Sequence, residues 1–222
     1  MIVLALLAVN VASNRLVPGA FYVPLAVLWS AALVAFAVRI DGRSWADLGL
    51  ARSQVPQGLR WGAVLAGSVV AIYLVALAVP ATRDLFRDER VADWSLARTF
   101  YATFVRVPFG TVLLEEVAFR AVLPAMLVVR TRTSVAVAVS AALFGLWHVL
   151  PSLGVGTVNP VATDTVGQLP LWVTVAGSVL SAAAVGVWFW FLRHRSDSLL
   201  APMALHWATN GLAYLGASYV WR

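Results

Sequence analysis

The chain has 222 residues, 61% of them hydrophobic and only 12% charged, against roughly 45–50% and 25% in an average soluble domain. A soluble core of this length cannot hide that much apolar surface, so the composition excludes a water-soluble globule and makes the bilayer the solvent. The net charge is +6 with arginine as the sole basic residue, and the absence of cysteine rules out disulfides, thiolate metal sites and cysteine nucleophiles.

Residues 1–14 are apolar and lack a positive leading region, and Asn14-Arg15 is a poor processing site. They read as a short first span rather than a cleaved signal. Residues 16–38 form the first full-length run free of charge. Residues 39–60 are a polar connector whose Trp45-Ala46-Asp47-Leu48-Gly49-Leu50 stretch suits the membrane interface, and 61–82 are the next span. Residues 83–98 carry eight charges that sum to zero and read as a solvated loop. Residues 99–129 are apolar but interrupted by Arg106, Glu115, Glu116 and Arg120. Residues 133–163 end in a Pro- and Gly-rich loop from Pro151 onward, and 165–192 and 198–221 complete the set.

These runs predict about seven transmembrane helices in one integral membrane domain over residues 1–222. Backbone groups in hydrocarbon must pair within the chain, which favours helices; the alternation of a membrane barrel is absent. The fold class is all-α and polytopic. Arginines fall between the apolar runs, where they meet lipid headgroups rather than nucleic acid. With seven spans, eight arginines collect on the N-terminal side and six on the other, so the charge bias points to a cytoplasmic N-terminus.

Ionisable groups inside spans cost several kcal/mol each, roughly, and mark pathways or sites. The chain has three Glu and three His, and two of each lie in apolar runs. Glu116 and Arg120 are four apart and share a helix face, so Arg120 can neutralise Glu116. Glu115 points about 100° away and is left without a partner in its own helix. A carboxylate with no cation beside it suits a general base. Phe144-Gly145-Leu146-Trp147-His148 brings an imidazole into an apolar helix. His206 and Asn210, again four apart, present an imidazole and a carboxamide in one direction. His194 sits in Arg193-His194-Arg195, a solvated connector. Counted at about 1.5 Å per residue, Glu115 and His148 both lie about 23 Å from one membrane face, but His206 only about 12 Å. A sunken start to the last helix, bent near Pro202, would bring the three level.

Taken in order, Glu115-Glu116-x-x-x-Arg120, Phe144-x-x-x-His148 and His206-x-x-x-Asn210 resemble the CPBP family of intramembrane proteases. That family includes the CAAX prenyl endopeptidases and the abortive infection homologues. The approach Leu199-Leu200-Ala201-Pro202-Met203-Ala204-Leu205 to the last motif is similar too, and the resemblance covers about residues 99–214. It implies helices around a water-accessible catalytic cavity, with Glu115 activating water and His148 assisting. It implies that His206 and Asn210 complete the site, as an oxyanion hole or by holding a metal. The family carries a metalloprotease label, and Glu115, His148 and His206 are residue types that suit zinc, although a metal-free glutamate mechanism fits them equally. The implied partners are the lipid bilayer and a protein or peptide substrate, lipidated or membrane-anchored, with a bacterial plasma membrane as the location. Other intramembrane protease signatures are missing: there is no His-Glu-x-x-His, no Gly-x-Ser-x-Gly, and Thr157 follows Gly154-Val155-Gly156 where Gly-x-Gly-Asp requires an acid. Two other readings stay open. One is a transporter or channel using buried Glu, His and Arg, which would favour internal repeats that the chain lacks. The other is a non-catalytic scaffold or immunity protein with this fold.

Overall fold

The structure is a computed structural model that describes residues 2–154 and 158–222. Met1, at the head of the first expected span, and residues 155–157, which decide the absence of Gly-x-Gly-Asp, lie outside the described residues. Those described form helices and connecting turns, with no strand among them.

The first helix, α1, runs Ile2–Val11 and continues as a π-helical turn, Ala12–Leu16. Helix α2 is Gly19–Arg39, entered through Pro18. Helix α3, Val55–Ala78, has a proline in its first turn, where the missing N–H costs nothing. Helix α4 spans residues 96–128 and is composite: α-helical Leu96–Tyr101, Leu113–Glu116 and Leu123–Val128 alternate with π-helical Ala102–Val112 and Val117–Val122. Helix α5 is Thr133–Trp147, continued after a break at His148 by the turn Val149–Ser152. Helices α6, Leu171–Arg195, and α7, Leu200–Val220, complete the bundle.

Among the described residues, four helical stretches are long and apolar enough to cross a membrane: Gly19–Arg39, Arg52–Ala78, Thr133–Ser152 and Leu171–Arg195. The all-α membrane fold expected from composition is therefore present. The other three expected spans are helices as well, but α1 is short and α4 and α7 carry the polar residues of the site. The chain should stay in the pellet when membranes are washed with alkaline carbonate; recovery in the soluble fraction would contradict the membrane assignment.

Helix α4 lies at the centre and touches α2, α5, α6 and α7. Its widened geometry has a local cause. A proline inside a helix clashes with the carbonyl four residues back and cannot donate. Pro108 sits within the first π segment and Pro124 just after the second. A turn closed over five residues relieves the crowding. Around this axis, α5 packs closely on α6 and α7 on α3. The α5–α6 approach depends on small residues: a Cβ on Gly145 would sit 2.5 Å from the Val179 carbonyl oxygen, and one on Gly186 only 3.2 Å from Cα of Ala141. In lipid, such close backbone packing takes the place of a hydrophobic drive between helices.

The 39–54 connector is more than a surface strip. Trp45 is exposed, as an interface residue should be, but Leu48 is fully buried. Arg193 donates to the carbonyls of Ala46 and Asp47, and Leu199 N–H donates to the Gly49 carbonyl at 3.0 Å. The Asp47 carboxyl is held below its usual range, chiefly by the Ser44 backbone N–H. The connector thus roofs the α6–α7 turn, where Ser196, Ser198 and Leu199 are buried. The last helix therefore begins beneath the protein surface, covered by the connector.

The 83–98 segment, expected as a solvated loop, folds into short helical turns with Val91 buried. Asn159 ties it to the segment after Ser152 by donating to the carbonyls of Asp84, Leu85 and Arg87.

Candidate active site

The residues with chemical potential gather where α4, α5 and α7 meet, around an open cavity of about 560 Å³. Glu115, His148 and Asn210 all line it. Glu115 is 7% exposed, enough to present an oxygen to the cavity from an otherwise buried wall. Its Oε1 accepts a hydrogen bond from Trp147 Nε1 at 3.0 Å. The carboxylate has no partner within its own helix, as the spacing predicts, but an indole from α5 fixes its direction.

His148 owes its position to a helix break. Pro151 has no N–H to offer the Trp147 carbonyl four residues back, so α5 ends at Trp147. The freed carbonyl is taken by Asn10 Nδ2 of α1 at 3.0 Å. At the break, His148 Nδ1 lies 2.8 Å from the Phe144 carbonyl oxygen. A carbonyl only accepts, so Nδ1 carries a proton, and in the neutral form of the ring the lone pair is on Nε2.

The second glutamate behaves differently. Glu116 is fully buried, with Arg120 Nε 3.4 Å from Oε2 and His206 Nδ1 2.8 Å from Oε1. Arg120 lies between two aromatic faces, 3.7 Å from the Phe144 ring centroid and 5.0 Å from that of Phe189. Its guanidinium makes no hydrogen bond among the described residues. Glu116 is thus paired with Arg120 of its own helix, and Glu115 lines the cavity.

His206 departs from its expected place. It is buried behind the cavity wall and does not line the cavity. Its ring bridges the two acids, with Nδ1 on Glu116 and Nε2 3.8 Å from Glu115 Oε2. Asn210, one helical turn on, is exposed to the cavity, where among the described residues its Oδ1 meets only the Thr209 hydroxyl at 3.5 Å. The shared face of α7 is therefore split by depth. His194, read as solvated, is exposed and stacks on Trp190.

Among the described residues no three His, Asp or Glu side chains are arranged to hold a metal ion. His206 directs Nδ1 at Glu116 and stands outside the cavity that His148 enters. Glu115, His148 and His206 in this arrangement do not fit a zinc site.

The cavity also contains residues that the sequence reading left without a role. Trp147 stands beside His148 in the quoted motif, and an indole N–H next to an intramembrane His was a usable signal. Arg106 was noticed as an interruption and nothing more. Tyr22, whose hydroxyl pairs with Thr111 at 3.0 Å, and Asn14 gave no signal, since such residues are common near span ends. Asp88 and Arg90 reach the rim from the 83–98 segment and pair with each other.

A family model described as Rce1-like, type II CAAX prenyl endopeptidase, matches residues 97–212, just over half the chain. No curated protein and no solved structure matches.

Proposed function

The chain belongs to the Rce1-like family of type II CAAX prenyl endopeptidases, and from that premise we propose an intramembrane endopeptidase in which Glu115 activates water. The observation that supports it most is the Glu115 carboxylate on the wall of an open, partly polar cavity, aimed by the Trp147 indole and flanked by His148 and Asn210. We place the enzyme in a bacterial plasma membrane, acting on a lipidated or membrane-anchored peptide, with residues 1–222 as one domain.

Water bound between Glu115 and His148 gives a proton to the Glu115 carboxylate as its oxygen bonds to the peptide carbonyl carbon. The carbonyl π pair moves onto oxygen. Asn210 Nδ2 donates to that oxyanion, since its carboxamide projects into the cavity with no strong partner among the described residues. Collapse of the tetrahedral intermediate breaks the C–N bond, and the proton held by Glu115 passes, directly or through His148 Nε2, to the leaving amine. His206 acts through the carboxylates rather than on substrate: both ring nitrogens face glutamates, so it positions Glu115.

The test is cleavage of S-farnesylated Cys-aliphatic-aliphatic-Met peptides by the purified full chain in nanodiscs, with products identified by mass spectrometry. Asn210→Ala should slow cleavage about 10²–10³-fold. If chelation instead silences the wild type and a divalent metal restores it, the oxyanion role passes to the metal. No cleavage of any lipidated peptide would favour the transporter or scaffold readings.

A further inference from the structure

Arg106 is an intramembrane cation without an anion. Among the described residues it has no ion pair and no hydrogen bond; its Cζ stands over the face of Tyr22, 4.8 Å from the ring centroid. The other arginine at the cavity, Arg90, is occupied by Asp88. A charge in an apolar segment needs a partner or a purpose.

Its placement follows from the π geometry of α4. Arg106 and Glu115 are nine residues apart. At 100° per residue this spacing sets them about 180° apart, on opposite faces of an α-helix. Between them run the π turns of Ala102–Val112, each taking more than four residues, so nine residues make close to two whole turns. The two side chains consequently line the same cavity, along with Gly110 between them.

We infer that Arg106 is a specificity-determining residue that holds the C-terminal carboxylate of the peptide whose bond faces Glu115. This rests on the protease reading of the site. The nine-residue separation is about 13 Å along an α-helix and shorter in π turns. An extended peptide advances about 3.3–3.6 Å per residue. A carboxylate on Arg106 therefore places the bond three or four residues from the C-terminus against Glu115. The guanidinium offers a planar pair of donors to the two carboxylate oxygens, and substrate would supply the anion that the protein does not.

The experiment uses the full-length E115Q chain in nanodiscs, so that binding is read without turnover. The probe is a fluorescent S-farnesyl Cys-Val-Ile-Met peptide, prepared as the free acid and as the C-terminal amide, with anisotropy as the readout. The acid should bind roughly ten- to hundredfold more tightly than the amide. Arg106→Met should erase that difference by weakening only the acid, and Arg106→Lys should keep part of it. Equal binding of acid and amide, binding of neither, or an acid preference that survives Arg106→Met overturns the inference. If Arg106→Met does not fold, a Lys variant with an undiminished acid preference does the same. Acid-selective binding to a chain whose wild type cleaves nothing would leave the Arg106 site standing and remove the protease reading. Cleavage with no acid preference would do the reverse.

Discussion

Glu115→Gln is expected to abolish cleavage while leaving the folded yield and thermal stability near those of the wild type. The carboxamide keeps the shape and can still present an oxygen to Trp147 Nε1, so the wall of the cavity is preserved. What it loses is a site to receive the proton from water. A positioned general base contributes about 10²–10⁴-fold, so residual turnover should fall below that margin in a peptide assay. Melting in detergent, followed by intrinsic tryptophan fluorescence, checks the fold in the same preparation. Cleavage persisting in both Glu115→Gln and His148→Ala would end the mechanism.

Glu116→Gln and Arg120→Leu should do the opposite, and lower the yield of folded protein. Both groups are buried, and neither has water to fall back on. Leucine at 120 leaves Glu116 with His206 alone. Glutamine at 116 removes the negative charge from beside a buried guanidinium, which keeps its contacts with the Phe144 and Phe189 rings. Breaking one half of such a pair costs about 3–5 kcal/mol, a large share of the stability of an ordinary domain, roughly 5–15 kcal/mol. Size-exclusion yield of the two variants in detergent is the measurement. If both fold normally and lose only activity, Glu116 and Arg120 belong to the chemistry and not to the frame.

The pairing of Glu116 with Arg120 was legible in the sequence because an i, i+4 spacing survives wherever the chain stays near helical. Glu115, His148 and Asn210 were legible for a related reason: ionisable or amide groups in apolar runs are few. The position of His206 was not. Spacing alone could not separate two residues on one helix face into a buried group and one open to the cavity, because that depends on how deep α7 sits. The start of α7 is held by Gly49 of the distant 39–54 connector, which Arg193 at the end of α6 also ties down through Asp47. Arg106 was noted only as an interruption: counting at 3.6 residues per turn would set it on the far side of the helix from Glu115, and only the prolines at 108 and 124 hint that the count fails.

The widened stretch of α4 gives the number of residues in it a meaning of its own. Removing one residue between Arg106 and Glu115 would let this stretch relax toward an ordinary helix without breaking it. The chain would still fold as a helix there and every functional residue would still be encoded. Yet at 100° per residue the eight remaining steps would leave Arg106 about 80° around the helix from Glu115. An insertion or deletion at this point is therefore a change of substrate end-recognition written in spacing, and a comparison that scored only matching letters would count the altered chain as intact.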